Sequence, residues 1–373
     1  MRLNTIKAGF ASLCFLSMFG CTKDFKEINS NPTLVSSDVV QPGLLFTSAI
    51  KGAVFELPAQ GLLADYAGYY KNPSSGNIFL ERDWSNPYNN YYRNYLINMS
   101  EVIRLTAKDT IFRNQNSIAR ICRAMLFQQL TDSYGDIPYF DAVKSINEVV
   151  VQPKYDKQED IYKDLLKEVK EATALLINAS SQVSFGSADI LLKGNVDAWR
   201  RFGNSLRLRM AMRVRYADAG LAAQHIQEVV GQPLITTNAQ NVTLATLNDG
   251  NTANINAFYT RNSTQPNSML VSFTTTDNLI RLNDPRLPLY ARPANAADAG
   301  YRGVPLQLGP DQQGRYATDS VARMATSFLQ QVYTIVVMNA AEVSFLRAEA
   351  ALAGISTENA NDLYRSGIQL AMS

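Results

Sequence analysis

The stretch Trp199-Arg-Arg-Phe-Gly-Asn-Ser-Leu-Arg-Leu-Arg-Met210 decides the fold class of this 373-residue chain. Its large apolar side chains recur every three or four residues, which is the spacing of one buried face on an α-helix. Asn195 or Asp197 stands where a side chain can cap the first turn. The apolar face consists of Trp199, Phe202, Leu206, Met210 and Val214. The stretch therefore predicts a long helix that packs in the core of a helical protein.

Arginines crowd the other faces of this helix. They are Arg200, Arg201, Arg207, Arg209, Arg213 and Arg215. They could bind nucleic acid, or they could pair with acids on neighbouring helices while their stems lie along apolar surface. Without residues 1–20 the chain has 33 Lys and Arg against 33 Asp and Glu. Nucleic-acid affinity comes mostly from neutralised phosphates, so a balanced chain favours the pairing and predicts no nucleic-acid partner.

Similar helical patterns lie on both sides of this stretch. They cover residues 44–70, 86–108, 117–134, 156–176, 338–352 and 357–373. Asp156-Lys-Gln-Glu159 fits a capping box at the start of one of them. Successive helices with small residues at their contacts indicate a helical-repeat array, although the spacing is irregular. The final pattern is still amphipathic at Ser373, from which we expect a chain truncated at its C-terminus.

The composition changes after Gly231, where Asn, Thr, Gly, Pro and Gln become frequent. Such a composition predicts short strands and long loops. We assign a loop-rich insertion to about residues 231–337. Because binding residues concentrate on loops that a rigid scaffold holds, ligand contacts are expected there.

The first residues resemble an export signal. A basic head precedes an apolar run of about 11 residues, which is too short to span a bilayer. Gly20 and Cys21 follow, and a cysteine directly after such a break resembles a bacterial lipobox. We predict that Cys21 is lipidated; the alternative is an ordinary cleaved signal. The predicted divisions are a signal peptide at 1–20, a polar tether at 21–43 and a helical domain at 44–373.

Several site classes find no support in the sequence. His225 is the single histidine, which excludes a histidine-rich metal site, and we interpret it as a surface or interhelical residue. Cys122 is alone on an apolar helix face, so no disulfide framework is possible. Asp132, Asp136 and Asp141 surround a Tyr-Gly-Asp-Ile-Pro turn without glycosidase or EF-hand spacing. We predict a structural turn, no catalytic residue, no metal and no cofactor.

Aromatic residues in loops, in the Asn-rich stretch or directly before a loop are the candidate ligand contacts. A glycan binder needs aromatic platforms for the C–H faces of sugars and polar groups for the hydroxyls. The candidates are Trp84, Tyr69, Tyr70, Tyr259 and Tyr290. The alternative for each is packing in the core, where aromatic side chains are common. Tyr88, Tyr92 and Trp199 stand at helical spacing and are predicted to be core residues.

Six segments together resemble the SusD/RagB family of outer-membrane lipoproteins. They are residues 21–32, 129–141, 155–162, 199–210, 284–287 and 341–350, in family order. The resemblance implies a mainly α fold in which tetratricopeptide-like helix pairs support an irregular, loop-rich binding face. It also implies a lipid anchor at the surface of the outer membrane. Asp24 and Glu27 resemble the signal that directs such lipoproteins outward.

The same resemblance implies a function in nutrient uptake. Family members capture glycans, or sometimes peptides, and pass them to a SusC-like, TonB-dependent barrel that they cover as a lid, without breaking bonds. Two alternatives stay open: a lipid-anchored glycoside hydrolase, and a helical-repeat scaffold for other proteins. No binding motif of the family maps onto the aromatic candidates residue by residue.

Overall fold

The chain folds mainly into α-helices, as predicted. A computed structural model describes residues 41–59, 67–71, 85–143, 150–266, 269–312 and 314–373. Among these residues, none of the helices has both the length and the apolarity to span a bilayer. The helices are α1 (Pro42–Ala59), α2 (Ser85–Asn90), α3 (Ile97–Thr106), α4 (Arg113–Tyr134), α5 (Gln158–Leu175), α6 (Val196–Val214), α7 (Ala219–Val230), α8 (Ala257–Thr264), α9 (Phe273–Arg281), α10 (Leu287–Tyr290), α11 (Ala340–Leu352) and α12 (Ala360–Met372). A π-helical turn, Tyr91–Leu96, joins α2 to α3.

Helices that follow one another in the chain pack side by side. α3 contacts α4, α4 contacts α5, α5 contacts α6 and α6 contacts α7, while α11 pairs with α12 and also reaches α6. Trp199 and Phe202 of α6 are fully buried in the main core. Gly203 of α6 lies so close to Thr173 of α5 that a Cβ there would collide with the threonine hydroxyl. This arrangement of helix pairs confirms the predicted helical array.

Arg200, Arg207, Arg209 and Arg213 of α6, and Arg215 directly after it, form ion pairs with acids, as predicted. The guanidinium of Arg209 donates from Nε and Nη2 to the two carboxylate oxygens of Glu342 on α11, at 2.6 and 2.7 Å. Arg207 pairs with Glu228 on α7, and Arg215 pairs with Glu349 on α11. The helix begins after Asn195, whose side chain accepts a hydrogen bond from the backbone N–H of Ala198 at 3.0 Å.

His225 and Cys122 are both buried. His225 lies between α6 and α7, where its Nδ1 accepts a hydrogen bond from Nε of Arg207 at 2.8 Å. Burial, and then the charge of Arg207, lowers the pKa of His225 to about 4. Burial, and then Asp189, raises the pKa of the Cys122 thiol. Of the surface and interhelical positions predicted for His225, the interhelical one is confirmed.

The turn after α4 is structural, as predicted, but the capping box expected at Asp156 is wrong. Gly135 has a φ of 74°, a left-handed conformation that suits glycine and ends α4. Asp136 accepts a hydrogen bond from the N–H of Gln158 at the start of α5. Asp156 instead accepts from the N–H groups of Tyr139 and Phe140, at 3.1 and 2.9 Å. The two aspartates thus tie the turn to α5 from both sides.

The region between α7 and α11 contains short strands, as its composition predicted. The strands of this region are β2 (Val242–Ala245), β3 (Leu270–Val271), β4 (Ala291–Arg292), β5 (Arg323–Met324) and β6 (Thr334–Met338), and they are joined by β1 (Tyr70–Lys71) from the N-terminal part of the chain. One antiparallel sheet has the order β1-β3-β5-β4, and β2 pairs with β6 in a second. Tyr70 lies opposite Val271, and Arg292 opposite Arg323. The four-stranded sheet therefore collects segments that are far apart in the chain.

Candidate functional site

Four aromatic side chains meet beside the four-stranded sheet. Tyr290 ends α10, Phe328 lies on the 3₁₀ turn Thr326–Leu329, Tyr333 precedes β6 and Tyr70 belongs to β1. The rings of Tyr290 and Phe328 are nearly parallel, with 6.3 Å between centroids, and Phe328 lies 5.9 Å from Tyr333. We call these four residues the aromatic cluster. The ring of Tyr290 is the most open, with 38% of the residue exposed.

Tyr70 forms the inner side of the aromatic cluster. It is half-buried and packs against Val271, Ala291 and Ala322 of the neighbouring strands. Burial raises the pKa of its hydroxyl, and the nearby Tyr333 and Tyr290 raise it further, which places all three phenols close together. Tyr70 and Tyr290, predicted from sequence as ligand contacts, are thus brought into one place.

Phe328 and Tyr333 are members of the cluster that the sequence did not reveal as candidates. Both lie in the loop-rich stretch and off any helical stripe, the same signal that identified Tyr259 and Tyr290. The positions of these two rings depend on the turn at Thr326–Leu329 and the residues that follow it, and no sequence pattern predicts that turn.

The fully buried Asn256 holds this turn in place. Its Nδ2 donates to the carbonyl oxygens of Phe328 and Gln330 at 2.7 and 2.8 Å. Its Oδ1 accepts from the N–H of Phe258 at 3.0 Å and so caps α8. Its own N–H donates to the carbonyl oxygen of Gln331 at 3.1 Å. One side chain therefore fixes the aromatic turn against a helix.

Tyr259 is linked to the same turn by a hydrogen bond. Its hydroxyl accepts from Nε2 of Gln331 at 3.0 Å, and the residue is half-buried. The neighbouring Phe258 lines a cavity of about 520 Å³ that Phe55, Ile255 and Arg261 also line. Tyr259 is thus linked to the turn that carries Phe328, and its neighbour Phe258 lines an open hollow.

Tyr69 lies on the outer surface. Its carbonyl oxygen accepts from the N–H of Ser272 and the hydroxyl of Thr275, both at 3.1 Å, at the start of α9. Its side chain is 60% exposed, and that of Phe273 next to Ser272 is 51% exposed. Trp84 and Cys21 lie outside the described residues. The structure therefore brings Tyr70 and Tyr290 together, links Tyr259 to the neighbouring turn through Gln331, and leaves Tyr69 on the outer surface.

Asp132 and Asp284 are engaged in structural contacts. Asp132 accepts from the hydroxyl of Tyr162 and pairs with Arg213 at 3.3 Å. The pKa of Asp284 is lowered to about 2 by hydrogen bonds from Arg286. A general acid needs the opposite shift. In the described ranges, no group of three or more His, Cys, Asp or Glu side chains is placed to hold a metal ion.

The comparisons with known proteins agree with the predicted resemblance. The sequence model of the SusD-like family, described as "Starch-binding associating with outer membrane", matches residues 34–373. No curated protein sequence matches the chain. The family resemblance drawn from six segments is confirmed by this match.

Solved structures share the fold across most of the chain. A chitin-binding protein aligns with a TM-score of 0.77 at 24% identity, over 88% of this chain and 74% of its own. A SusD-like protein from Bacteroidetes gives 0.77 at 25% identity, over 89% and 77%. A chitin-binding SusD homologue from Flavobacterium johnsoniae gives 0.72 at 23% identity, over 88% and 68%.

Proposed function

Because this chain belongs to the SusD-like family, whose model is described as starch-binding and associated with the outer membrane, we propose that it is a cell-surface lipoprotein that binds glycans. In this proposal it delivers them to a SusC-like, TonB-dependent transporter. Oligosaccharides are the first candidate ligands, and peptides the second.

The aromatic cluster is the observation that carries the proposal. Tyr290 presents an open ring, and Phe328 supports it from one side at 6.3 Å between centroids. An aromatic ring that a second ring holds in place offers a flat apolar face for the C–H side of a sugar, while the polar hydroxyl of the tyrosine stays in water. The cluster sits on loops and short strands that a helical scaffold holds, which is where specificity usually resides.

The ligand class follows from the relatives by analogy. Two of the solved structures with this fold are named as chitin-binding. Proteins that share a fold can bind different ligands, because the loops that contact the ligand vary most. Starch and chitin fragments are therefore the first ligands to test for binding.

Binding without bond cleavage fits the chemistry of the described side chains better than hydrolysis does. A glycosidase needs two facing carboxyl groups, one of them with a raised pKa. Asp132 and Asp284 are instead engaged by Tyr162, Arg213 and Arg286. The scaffold alternative would favour a loop face poor in aromatic residues, and the aromatic cluster argues against it.

The anchor is a separate part of the proposal. Cys21 would carry the lipid, residues 1–20 would be removed and residues 21–43 would serve as the tether to a domain at 44–373. Radioactive palmitate should label the wild-type chain and leave the Cys21→Ser variant unlabelled. A wild-type chain that takes up no label would contradict the anchor.

The function itself is tested on the full chain in detergent. Isothermal titration with maltohexaose, chitohexaose and peptide mixtures should give saturable binding of at least one class. The chain should also co-purify from outer membranes with a large barrel protein, and polysaccharides should gain no new reducing ends. Absence of both binding and a barrel partner would refute the proposal, and sugar release that stops on mutation of one carboxylate would favour the hydrolase.

A further inference from the structure

The cavity of about 520 Å³ that Phe258 lines opens between α1 and α8. Phe55 of α1 and Ile255 form part of its apolar lining, and most of its other described lining residues belong to α8. The two helices also contact each other directly. Sites for small molecules have volumes of about 300–1,000 Å³, so a sugar residue fits in this space. We call this cavity the α8 hollow.

One side of α8 carries the polar chemistry of the α8 hollow. Thr264 follows Thr260 by four residues and Arg261 by three, so these side chains share one side of the helix. Phe258, three residues before Arg261, and Gln265, directly after the helix, also line the cavity. Because all of these side chains border the same cavity, a phenyl ring and a guanidinium group open onto one ligand-sized space.

The positive charge of the α8 hollow is not balanced by the protein. Among the described lining residues, Arg261 alone carries a charge. Within the described part of the chain its guanidinium has neither an ion pair nor a hydrogen-bond acceptor, although the residue is half-buried. Arg209 on the helical scaffold, by contrast, is paired with Glu342. Arg261 is therefore available to a ligand.

Hydrogen bonds hold the walls of the α8 hollow in place. Nζ of Lys51 on α1 donates to Oδ1 of Asn254 at 2.9 Å, and Nδ2 of Asn254 donates to Asp249 at 2.7 Å. At the start of α8, Asn256 accepts from the N–H of Phe258 at 3.0 Å. These bonds are present without a ligand, so the hollow is already formed in the free protein. They also engage Lys51 and Asp249, the charged groups on this side of α1.

The lining favours one class of ligand. An apolar ligand would shield the guanidinium of Arg261 without giving it an acceptor, which is unfavourable. A ligand with several phosphate groups would need more positive charge than one arginine supplies. A sugar with one oxyanion matches each part of the lining, because the guanidinium fork fits the paired oxygens of a carboxylate or sulfate. The ring of Phe258 suits sugar C–H bonds, and the side chains of Thr252 and Gln265 can bond to hydroxyls.

We propose that the α8 hollow is a second binding site, separate from the aromatic cluster, and that it binds a sugar residue carrying one carboxylate or sulfate group. The oxyanion binds Arg261, and the apolar face of the sugar lies against Phe258. The proposal rests on the proposed function for its ligand class, and it extends that function from neutral to acidic glycans.

Acidic monosaccharides test this site on the full chain in detergent, by ligand-observed NMR titration. The probes are galacturonate, its methyl ester, galactose 6-sulfate and galactose. We expect at least one acidic sugar to bind about tenfold more tightly than its neutral counterpart, which is the gain expected of one charge-assisted hydrogen bond. A preference for galacturonate alone identifies the oxyanion as a carboxylate, and a preference for galactose 6-sulfate alone identifies it as a sulfate.

Matched variants locate the effect. Arg261→Gln should abolish the preference for acidic sugars, and Arg261→Lys, which keeps the charge, should retain most of it. Phe258→Leu keeps an apolar side chain without the ring, and it should weaken acidic and neutral sugars alike by about fivefold. Arg281→Gln removes the same charge from an exposed position on α9 and should preserve the preference. Tyr290→Ala should also preserve it, because the aromatic cluster is a separate site.

Equal affinity for acidic and neutral monosaccharides would overturn the acidic assignment. A preference that Arg261→Gln and Arg281→Gln weaken equally would reflect general charge, and a preference lost in Tyr290→Ala would place the acidic sugar at the aromatic cluster; either result would overturn the site. Failure of every monosaccharide to bind would overturn it as well. The proposed function would survive that failure if the hexasaccharide titrations gave saturable binding.

Discussion

Replacing His225 with glutamine should remove much of the pH dependence of folding between pH 4 and 6.5. The imidazole is buried between α6 and α7, and its Nδ1 accepts a hydrogen bond from Arg207 at 2.8 Å. Protonation of His225 would destroy that acceptor and place a cation against the guanidinium. A glutamine oxygen can accept the same hydrogen bond without titrating in this range.

The size and sign of the effect follow from the pKa of His225. It falls from 6.5 to about 4 because of burial and then Arg207; Lys170 lowers it further and Glu228 opposes the fall. Glu228 has a pKa of about 2 and stays ionised throughout this window. Between pH 6.5 and 4 the unfolded chain therefore binds a proton that the folded chain does not. The free energy of unfolding is therefore highest above pH 6.5, and it falls by up to about 3 kcal/mol as the pH drops from 6.5 towards 4.

Urea unfolding between pH 7.5 and 4.5 measures this dependence, with fluorescence of the buried Trp199 as a probe. Carboxyl groups also titrate at the acid end, so the informative quantity is the difference between wild type and His225→Gln. Because the chain has a single histidine, that difference belongs to His225. The stability of the wild type should fall relative to the variant as the pH drops from 6.5. Parallel curves for the two proteins would refute the reasoning.

Two further substitutions test the scaffold and the turn that carries the aromatic cluster. Asn256→Ala should lower the free energy of unfolding by about 2–4 kcal/mol, because three partly buried backbone groups lose the partner that Asn256 provides. It should also weaken oligosaccharide binding, and unchanged stability in urea would contradict this role. Gly203→Ala should cost about 1–3 kcal/mol, because its Cβ would collide with Thr173. Gly231→Ala is the control, since its Cβ meets nothing within 4 Å and its melting temperature should not fall; equal melting temperatures for both alanine variants would contradict the packing argument.

The helical scaffold was predictable because its signals are local. The stripe from Trp199 to Val214 spans more than four helical turns at about 3.6 residues per turn, and Asn195, the residue that caps the helix, was one of the two caps that the sequence predicted. The arginines of α6 could be assigned to ion pairs because the net charge argued against a nucleic-acid partner. The prediction of a capping box at Asp156 was wrong because the Asp156 carboxylate had two possible sets of hydrogen-bond donors. It accepts from the N–H groups of Tyr139 and Phe140, which are distant in sequence, instead of capping α5.

The binding face was only partly predictable because its contacts are not local. Strands of two residues carry almost no periodicity, and Tyr70 pairs with Val271 from a distant part of the chain. Tyr290 and Tyr70 could be named as aromatic candidates, but nothing in the sequence placed them together. Phe328 lies beside them because Asn256 fixes its turn. The sequence does not distinguish this buried asparagine from other asparagines in polar loops, so the position of the turn could not be predicted.

Titration of an oligosaccharide into aromatic-cluster variants tests the central claim most directly. Tyr290→Ala and Phe328→Ala should each weaken the best-binding sugar by about 5- to 30-fold, since each removes stacking worth about 1–2 kcal/mol. Tyr216→Ala removes a tyrosine that is 90% exposed on the helical scaffold and should leave affinity unchanged. Wild-type affinity in both cluster variants, with the loss in Tyr216→Ala instead, would contradict the account.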